Sequence, residues 1–309
     1  MAIETHRLPG ARIPSPRQSD LTARARASAD VARANSAAVD AEARFPSEAF
    51  AEIRKLRLLG IQVPEALDGE GATIAEIADV CYILGQACSS AALIYAMHQI
   101  KMACIVRHYK GNAAHERILR RIAAEQLLMA SSTTEGQAGG NVRSSEAAVE
   151  HDGAQITLER KATVISYAVE ADGIVTTARR AADAQGNDQV LLVLLKPDYT
   201  LERLQVWDTL GMRGTHSEGF TLRARRGRTD HAGALRQNSR PDHGSLCAHP
   251  LGFGVGGNRR GGRRQGTSIR AARHAPIERP NAARRRAFHP GRIDIAHASR
   301  RARQQPAQL

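Results

Sequence analysis

The sequence predicts an α+β fold, with an N-terminal helical domain, a β-barrel-like middle domain, and then a disordered tail rich in Arg, Gly and Pro. Three observations lead to this prediction. Up to about residue 126, apolar residues recur every three or four positions, as they do on amphipathic helices. From 127 to about 223 they form short runs separated by Gly-containing turns, which is typical of strands. After 223 neither period continues, and Leu, Ile, Val and Phe are too few to offset the entropy of ordering the chain.

These changes of pattern divide the 309 residues into four segments. Residues 1–20 hold three Pro and little apolar pattern, so we expect a loose arm. Residues 21–126 form the predicted helical domain, residues 127–223 the β domain, and residues 224–309 the basic tail. Because helices come before strands, the order favours an α+β fold or two separate domains over a doubly wound sheet.

Five helices are expected in the first domain. The Ala-rich stretch 21–43 lacks Gly and Pro and predicts the first helix. The second begins at Pro46, which suits a first helical turn, and ends near Leu58, before Gly60.

The third helix begins after Thr73, because Thr73 and Glu76 have the spacing of a capping box. The fourth begins at Ser89 or Ser90 and is apolar almost all round, which places it in the middle of a bundle. Asn112 opens the fifth helix. The predicted buried face of the third helix consists of Ile74, Ile77, Ala78, Cys81 and Leu84.

Four segments of the second domain predict strands, at 127–134, 154–166, 169–179 and 188–196. Turns are expected at Asp152-Gly153, Asp172-Gly173 and Gly186-Asn187.

The charge of the chain is concentrated at its end. The formal net charge is +13, but residues 224–309 contain 19 Arg, no Lys and 4 acidic residues, a net +15. The first 223 residues therefore carry 25 basic and 27 acidic side chains, a net −2. A nucleic-acid-binding function would have to rest on the tail alone.

Two interpretations of the tail are open. It could be a basic arm for nucleic acid or for an acidic partner. It could instead be out-of-frame translation of a GC-rich gene, which would give Arg, Gly, Pro, Ala and His without Lys, starting abruptly inside a strand. The abrupt change favours the second interpretation. It predicts that another reading frame downstream of Leu222 encodes amphipathic helices.

The sequence argues against several kinds of site. It has four Cys without a CxxC pair or Cys/His ligand spacing, so we expect neither a disulfide scaffold nor a metal site. It has no P-loop, dinucleotide fingerprint, nucleophile elbow or HExxH motif. The first residues lack an apolar signal core, and the run 91–106 is too short and too polar to span a bilayer. We therefore expect a cytoplasmic protein without a membrane partner.

The segment 129–143 is the most informative for ligand binding. A strand with small hydroxyl side chains runs into a loop that contains Gly139 and Gly140. Hydroxyl groups, free amides and close backbone approach would suit a flat polar ligand. An ordinary turn with Thr on an exposed strand face is the alternative from the residues alone.

Four segments in a fixed order resemble the acyl-CoA dehydrogenase family over about residues 21–223. They are IQVPEALDGEGAT, SSTTEGQAGGN, KATVISYAVEADGIVTTAR and WDTLGMRGTHSEGFTL. The resemblance implies a flavoprotein oxidoreductase of fatty acid metabolism that uses FAD to dehydrogenate an acyl-CoA thioester between its α and β carbons. It also implies homo-oligomers, and FAD held between the β domain and a C-terminal helical domain.

The resemblance also assigns residues to the cofactor site. Thr134 would hold the pyrimidine side of the flavin, and Ser166 would bond near its O4/N5 edge. For both, a strand-face hydroxyl without a ligand is the alternative. The complete set is Ser132, Thr133, Thr134, Gly139, Gly140, Val164 and Ser166.

This chain departs from the family pattern at several of these positions. Val164 stands where a Trp or Phe usually covers the ring, which removes a stacking partner. Gly140 replaces a Ser that commonly helps to hold CoA. The other replacements are Gly136 for Pro, Asn141 for Asp and Tyr167 for Asn.

Four further side chains have a functional and a structural interpretation. Arg213 occupies the position of a family Arg, but it could equally be a solvated charge that pairs with Glu218 or Asp208. Trp207 is expected to pack under the barrel. His98 and His108 are expected to be core or edge histidines.

No catalytic residue is assigned in this chain, because the family's catalytic Glu belongs to the C-terminal domain, and residues 224–309 do not resemble that domain. We expect impaired turnover and a doubtful oligomer for the same reason. The rival functions are a flavin-dependent monooxygenase of the same fold and a nucleic-acid-binding protein that uses its basic tail.

Overall fold

The structure is a computed structural model that describes residues 16–136, 143–153 and 155–227. In that part of the chain, five α-helices come first and seven strands follow. The predicted α+β class and the order of helices before strands are confirmed.

The helices are α1 (Pro16–Ala41), α2 (Ser47–Lys55), α3 (Ile74–Gly85), α4 (Ser89–His108) and α5 (Ala113–Glu125). Helix α1 begins at Pro16, inside the segment predicted as an arm, because Pro fits the first turn of a helix. Helix α2 ends before Leu58, since Arg57 adopts a left-handed φ of 55° and so leaves the helix.

The capping box at the start of α3 forms as predicted. The amide of Glu76 donates to the Thr73 hydroxyl, and the amide of Thr73 donates to the Glu76 carboxylate at 2.8 Å. The predicted buried face is wrong at Ile74, which is exposed, whereas Val80 is buried. The buried side of α3 is therefore rotated from the predicted one.

Helix α4 is buried on most of its surface, as the sequence predicts for the central helix of a bundle. Its buried residues include four polar ones, Ser90, His98, Gln99 and Lys101. Buried polar groups need partners, so these positions mark where α4 does more than fill the core.

The strands are β1 (Met129–Ser132), β2 (Glu150–Asp152), β3 (Gln155–Ile165), β4 (Gly173–Arg179), β5 (Gln189–Leu195), β6 (Tyr199–Gln205) and β7 (Glu218–Gly227). They form a three-stranded sheet in the order β1-β4-β5 and an antiparallel four-stranded sheet in the order β2-β3-β7-β6. The described strands thus make two sheets and do not close into a barrel.

The pattern of the sequence does not predict β2 or β6. Among the described strands, β6 pairs with β7 alone, and it is exposed along most of its length, so it lacks the alternation of a half-buried strand. Strand β7 continues to Gly227, past the predicted end of the domain at 223. Residues 228–309 lie outside the described residues, so the interpretations of the tail stay predictions.

Candidate functional site

An irregularity in β3 shapes the surface around Val164. The pairing of β3 with β7 shifts register between Ala162 and Ile165, as at a β-bulge. Thr163 and Val164, between those positions, are consequently both exposed instead of alternating. Gly219 of β7 approaches this point closely, because a Cβ atom there would lie 3.1 Å from the carbonyl oxygen of Thr163.

Thr134 lies against the same irregularity. Its hydroxyl donates a hydrogen bond of 3.0 Å to the carbonyl oxygen of Val164. Since a hydroxyl has one hydrogen, the Oγ1 atom of Thr134 can then only accept from a further partner. The structure therefore brings together Thr134 and Val164, two residues that the resemblance assigns to the flavin.

Ser132 lies on a different surface. Its side chain is fully buried, and its hydroxyl has no hydrogen-bond partner among the described residues. Its carbonyl oxygen accepts from Arg160 Nη1 at 2.7 Å and from the hydroxyl of Thr176 at 2.6 Å. Thr133, between Ser132 and Thr134, is half-buried.

Ser166 belongs to a chain of three hydroxyl groups. The Oγ atoms of Ser166 and Ser217 are 2.8 Å apart, and Ser217 Oγ is 2.7 Å from Thr215 Oγ1. Because Thr215 donates its only hydroxyl hydrogen to the carbonyl of Met212, Ser217 donates to Thr215 and Ser166 donates to Ser217. Ser166 is thus left as an acceptor, and it is buried.

The remaining predicted positions fall as follows. Gly139, Gly140 and Asn141 lie outside the described residues. Arg213 lies in a short 3-10 helix (Arg213–Thr215), and within the described part of the chain it makes neither of its two suggested ion pairs; Glu218 pairs instead with Arg203 at 2.9 Å. The indole of Trp207 donates to the carbonyl of Met212 at 3.1 Å.

Tyr167 stands where the family pattern has Asn, at a position with a left-handed backbone conformation. It has a left-handed φ of 44°, a conformation that Asn adopts more readily than Tyr. The Tyr167 side chain is fully buried, and its hydroxyl donates to the carbonyl of Met129 at 3.0 Å. Burial of the ring raises the pKa of this hydroxyl, so it stays a donor.

The sequence does not single out Arg160, which is buried next to Glu135. Its guanidinium lies 3.0 Å from the carboxylate of Glu135, which is also buried. Burial lowers the pKa of Arg160, while Glu135 opposes that shift. An Arg at an inward-facing position of β3 was the available signal, because an inward charge requires a buried partner.

The described residues contain neither a cluster of metal ligands nor a membrane-spanning helix. No group of three or more His, Cys, Asp or Glu side chains is placed to hold a metal ion there. Among the same residues, no helix is both long and apolar enough to cross a bilayer.

A protein-family model matches the first part of the chain. Residues 15–126 match the model described as the acyl-CoA dehydrogenase N-terminal domain. The helical part of this chain is therefore similar to the N-terminal domain of acyl-CoA dehydrogenases. The helical domain that carries the match is the one that packs against β1 through α4.

Individual relatives extend the likeness into the β domain. The probable acyl-CoA dehydrogenase YngJ of Bacillus subtilis (strain 168) is 24% identical over 186 residues, which are 60% of this chain and 49% of that protein. This chain therefore spans about half the length of that relative. Butyryl-CoA dehydrogenase from Megasphaera elsdenii has the same fold, with a TM-score of 0.64 at 15% identity, over 72% of this chain and 60% of that one.

Members with other chemistry share the fold. The dibenzothiophene monooxygenase TdsC from Paenibacillus sp. A11-2 matches with a TM-score of 0.59 at 17% identity, over 70% of this chain and 53% of that one. TdsC has also been solved with FMN bound. Proteins with different chemistry thus share this fold, and the fold alone does not decide the reaction.

Proposed function

We propose that this chain binds FAD where Thr134 meets the bulge of β3, as an acyl-CoA dehydrogenase-type flavoprotein. The hydrogen bond from Thr134 to the Val164 carbonyl carries this proposal. It gathers two of the residues that the family resemblance assigns to the cofactor at one accessible place on the β domain.

The residues present fit a flavin in part. The free lone pairs of Thr134 suit an N–H of the ring, and exposed Val164 offers an apolar contact. Valine covers less of a ring than the Trp or Phe of the family pattern, so we expect weak binding. Purified protein should be colourless or carry less than one flavin per chain.

When bound, the flavin supplies the hydride acceptor for the removal of two hydrogens from an acyl-CoA thioester. The α-proton needs a carboxylate within about 3 Å as a general base. Glu135 is the acidic residue closest in sequence to the proposed flavin contacts, but its oxygens already accept from Arg160 and from two backbone amides. We propose that Glu135 is not the base and that the described residues bind without turning over.

The experiment is a titration of the purified chain with FAD and, separately, with FMN, followed by flavin fluorescence. We expect saturable binding, tighter for FAD. Short-, medium- and long-chain acyl-CoAs are then added with an artificial electron acceptor, and we expect no turnover. The absence of saturable flavin binding would contradict the proposal, whereas turnover would contradict only the claim that the chain binds flavin without turning over.

A flavin-dependent monooxygenase is the second candidate. The replacement of the aromatic position by Val164 favours it, because a smaller side chain leaves room for a bulkier substrate over the ring. Oxygen consumption that requires reduced flavin and does not respond to acyl-CoA would support this candidate over dehydrogenation.

A further inference from the structure

Two buried charges hold together two segments of the chain near the end of β1. The first segment is Ser132 to Glu135, and the second is Ser145 to Ala147. Arg143, two residues before the second segment, is exposed.

Glu135 connects the first segment to the second through its carboxylate. One carboxylate oxygen accepts from the amide of Glu146 at 2.7 Å, and the other accepts from the amide of Ala147 at 2.9 Å. Bonds from amides to a buried carboxylate are stronger than neutral ones. The side chain of Glu135 therefore links its own segment directly to residues 146 and 147.

Arg160 joins both segments to β3. Its Nη2 atom lies 3.0 Å from Glu135 and donates to the hydroxyl of Ser145 at 3.3 Å. Its Nη1 atom donates to the carbonyl of Ser132 at 2.7 Å. One guanidinium thus contacts Ser132 at the end of β1, Glu135 in the same segment and Ser145 in the second segment.

We infer that Glu135 and Arg160 are positioning residues that form a clamp between the segments 132–135 and 145–147 and so place Thr134 against Val164. The inference rests on the proposed function where it concerns the flavin. The clamp itself stands on hydrogen bonds alone and can be tested without a cofactor.

The surface offers a matched control on the same strand. Glu159 is the neighbour of Arg160 on β3, points to the exposed face, and pairs with Arg223 at 2.9 Å. Exposed pairs contribute little to stability. The variants Glu159→Gln and Arg223→Lys therefore make the same chemical changes as Glu135→Gln and Arg160→Lys without touching the clamp.

The first measurement is the rate of tryptic cleavage after Arg143 under native conditions. We expect Glu135→Gln and Arg160→Lys to raise this rate about tenfold or more, because a buried charge loses part of its partners, and the two control variants to leave it unchanged. A double variant should be cleaved no faster than the faster single one, since both changes open the same clamp. Equal rates in clamp and control variants would overturn the clamp.

The second measurement is the dissociation constant for FAD in the same variants. We expect weaker binding by about tenfold in Glu135→Gln and Arg160→Lys, and none of this loss in the controls. Faster cleavage with unchanged FAD binding would overturn the positioning role. If no variant binds FAD, including the unaltered chain, the proposed function fails while the cleavage rates still decide the clamp.

Some substitutions of a buried ion pair prevent folding. Ser145→Ala removes one acceptor of Arg160 and leaves both charges paired, so it provides a milder version of the test. It should raise the cleavage rate after Arg143 by a smaller factor, and an unchanged rate in this folded variant would count against the clamp.

Discussion

The Nδ1 atom of His98, in the middle of α4, accepts a hydrogen bond of 3.0 Å from the backbone amide of Met129, the first residue of β1. Because Nδ1 accepts, the ring proton is on Nε2, which donates to the carbonyl of Leu59 at 2.9 Å. A neutral and fully buried imidazole therefore links the two domains. Burial lowers its pKa to about 4.

This link should make the protein sensitive to acid. A base whose pKa is lower in the folded than in the unfolded state binds fewer protons when folded, so stability falls as pH drops from about 6.5 towards 4. The full effect is about 3 kcal/mol. His98→Gln, which keeps a donor and an acceptor but does not titrate, should remove this part of the pH dependence.

Urea unfolding between pH 4 and 7 measures the effect. His151→Gln, at an exposed position, is the control and should retain the dependence of the unaltered protein. A slope that survives in His98→Gln would show that other groups cause the acid sensitivity.

His216 should have the opposite effect. Its Nδ1 atom lies 2.8 Å from the Glu170 carboxylate, and its Nε2 atom lies 2.8 Å from the carbonyl of Ala43, just after α1. The bond to Glu170 raises the pKa of His216. The stabilisation is therefore complete below about pH 6.5, and it is lost as pH rises through the folded pKa.

The variant His216→Gln should lower stability at pH 6 and approach the unaltered protein at pH 9. Thermal unfolding at the two pH values measures this difference. A loss of the same size at both would mean that His216 acts through packing and not through its charge.

Lys101 should be destabilising at neutral pH. It is buried in α4, and burial together with the charge of Arg160 lowers its pKa to about 8. The unfolded state binds more protons between pH 8 and 10.5, so stability rises with pH across that window. Lys101→Met should therefore stabilise by up to about 3 kcal/mol at pH 7 and by much less near pH 10.5.

Lys110→Met, at an exposed position at the end of α4, is the control and should change stability little. Chemical denaturation at pH 7 and pH 10 compares the two. A destabilised Lys101→Met protein at pH 7 would show that this ammonium group has a stabilising partner.

Gly214 should be sensitive to the addition of one methyl group. A Cβ atom there would lie 2.5 Å from Val39 and 2.8 Å from the Arg44 carbonyl oxygen, at the contact between the β domain and α1. Gly214→Ala should cost about 1–3 kcal/mol as an overpacked site. Gly211→Ala, three residues away and without an atom within 4 Å, should be neutral. Equal melting temperatures for both variants would contradict the tight contact.

The sequence predicts best those features that depend on neighbouring residues. The capping box of Thr73 and Glu76 forms as expected because its partners are three residues apart. The sequence does not predict strand β6, because β6 is an exposed edge strand and so lacks the alternation of apolar and polar residues that marks a half-buried strand. The sequence does not predict the clamp either, because Arg160 and Glu135 lie in different elements. The alternation of β3 shows that Arg160 faces inward but not which residue is its partner.

The candidate site also combines features that the sequence predicts with contacts between distant residues that it does not predict. The resemblance places Ser132 and Thr134 on one surface, and the structure separates them, because β1 ends at Ser132 and Thr134 lies beyond the strand, where the chain no longer follows the alternation of a strand. The contact between Thr134 and Val164 could not be read from the sequence, since it depends on an irregular register between β3 and β7.

The most direct test of the account is the affinity for FAD after Thr134→Val, which removes one hydroxyl and keeps the shape of the side chain. Thr200→Val, at an exposed position of β6, is the matched control. We predict that Thr134→Val weakens FAD binding by about tenfold, because it removes the hydrogen bond to Val164 and the acceptor for the ring, and that Thr200→Val binds like the unaltered chain. Equal affinity of Thr134→Val and Thr200→Val for FAD would contradict the placement of the flavin on this surface.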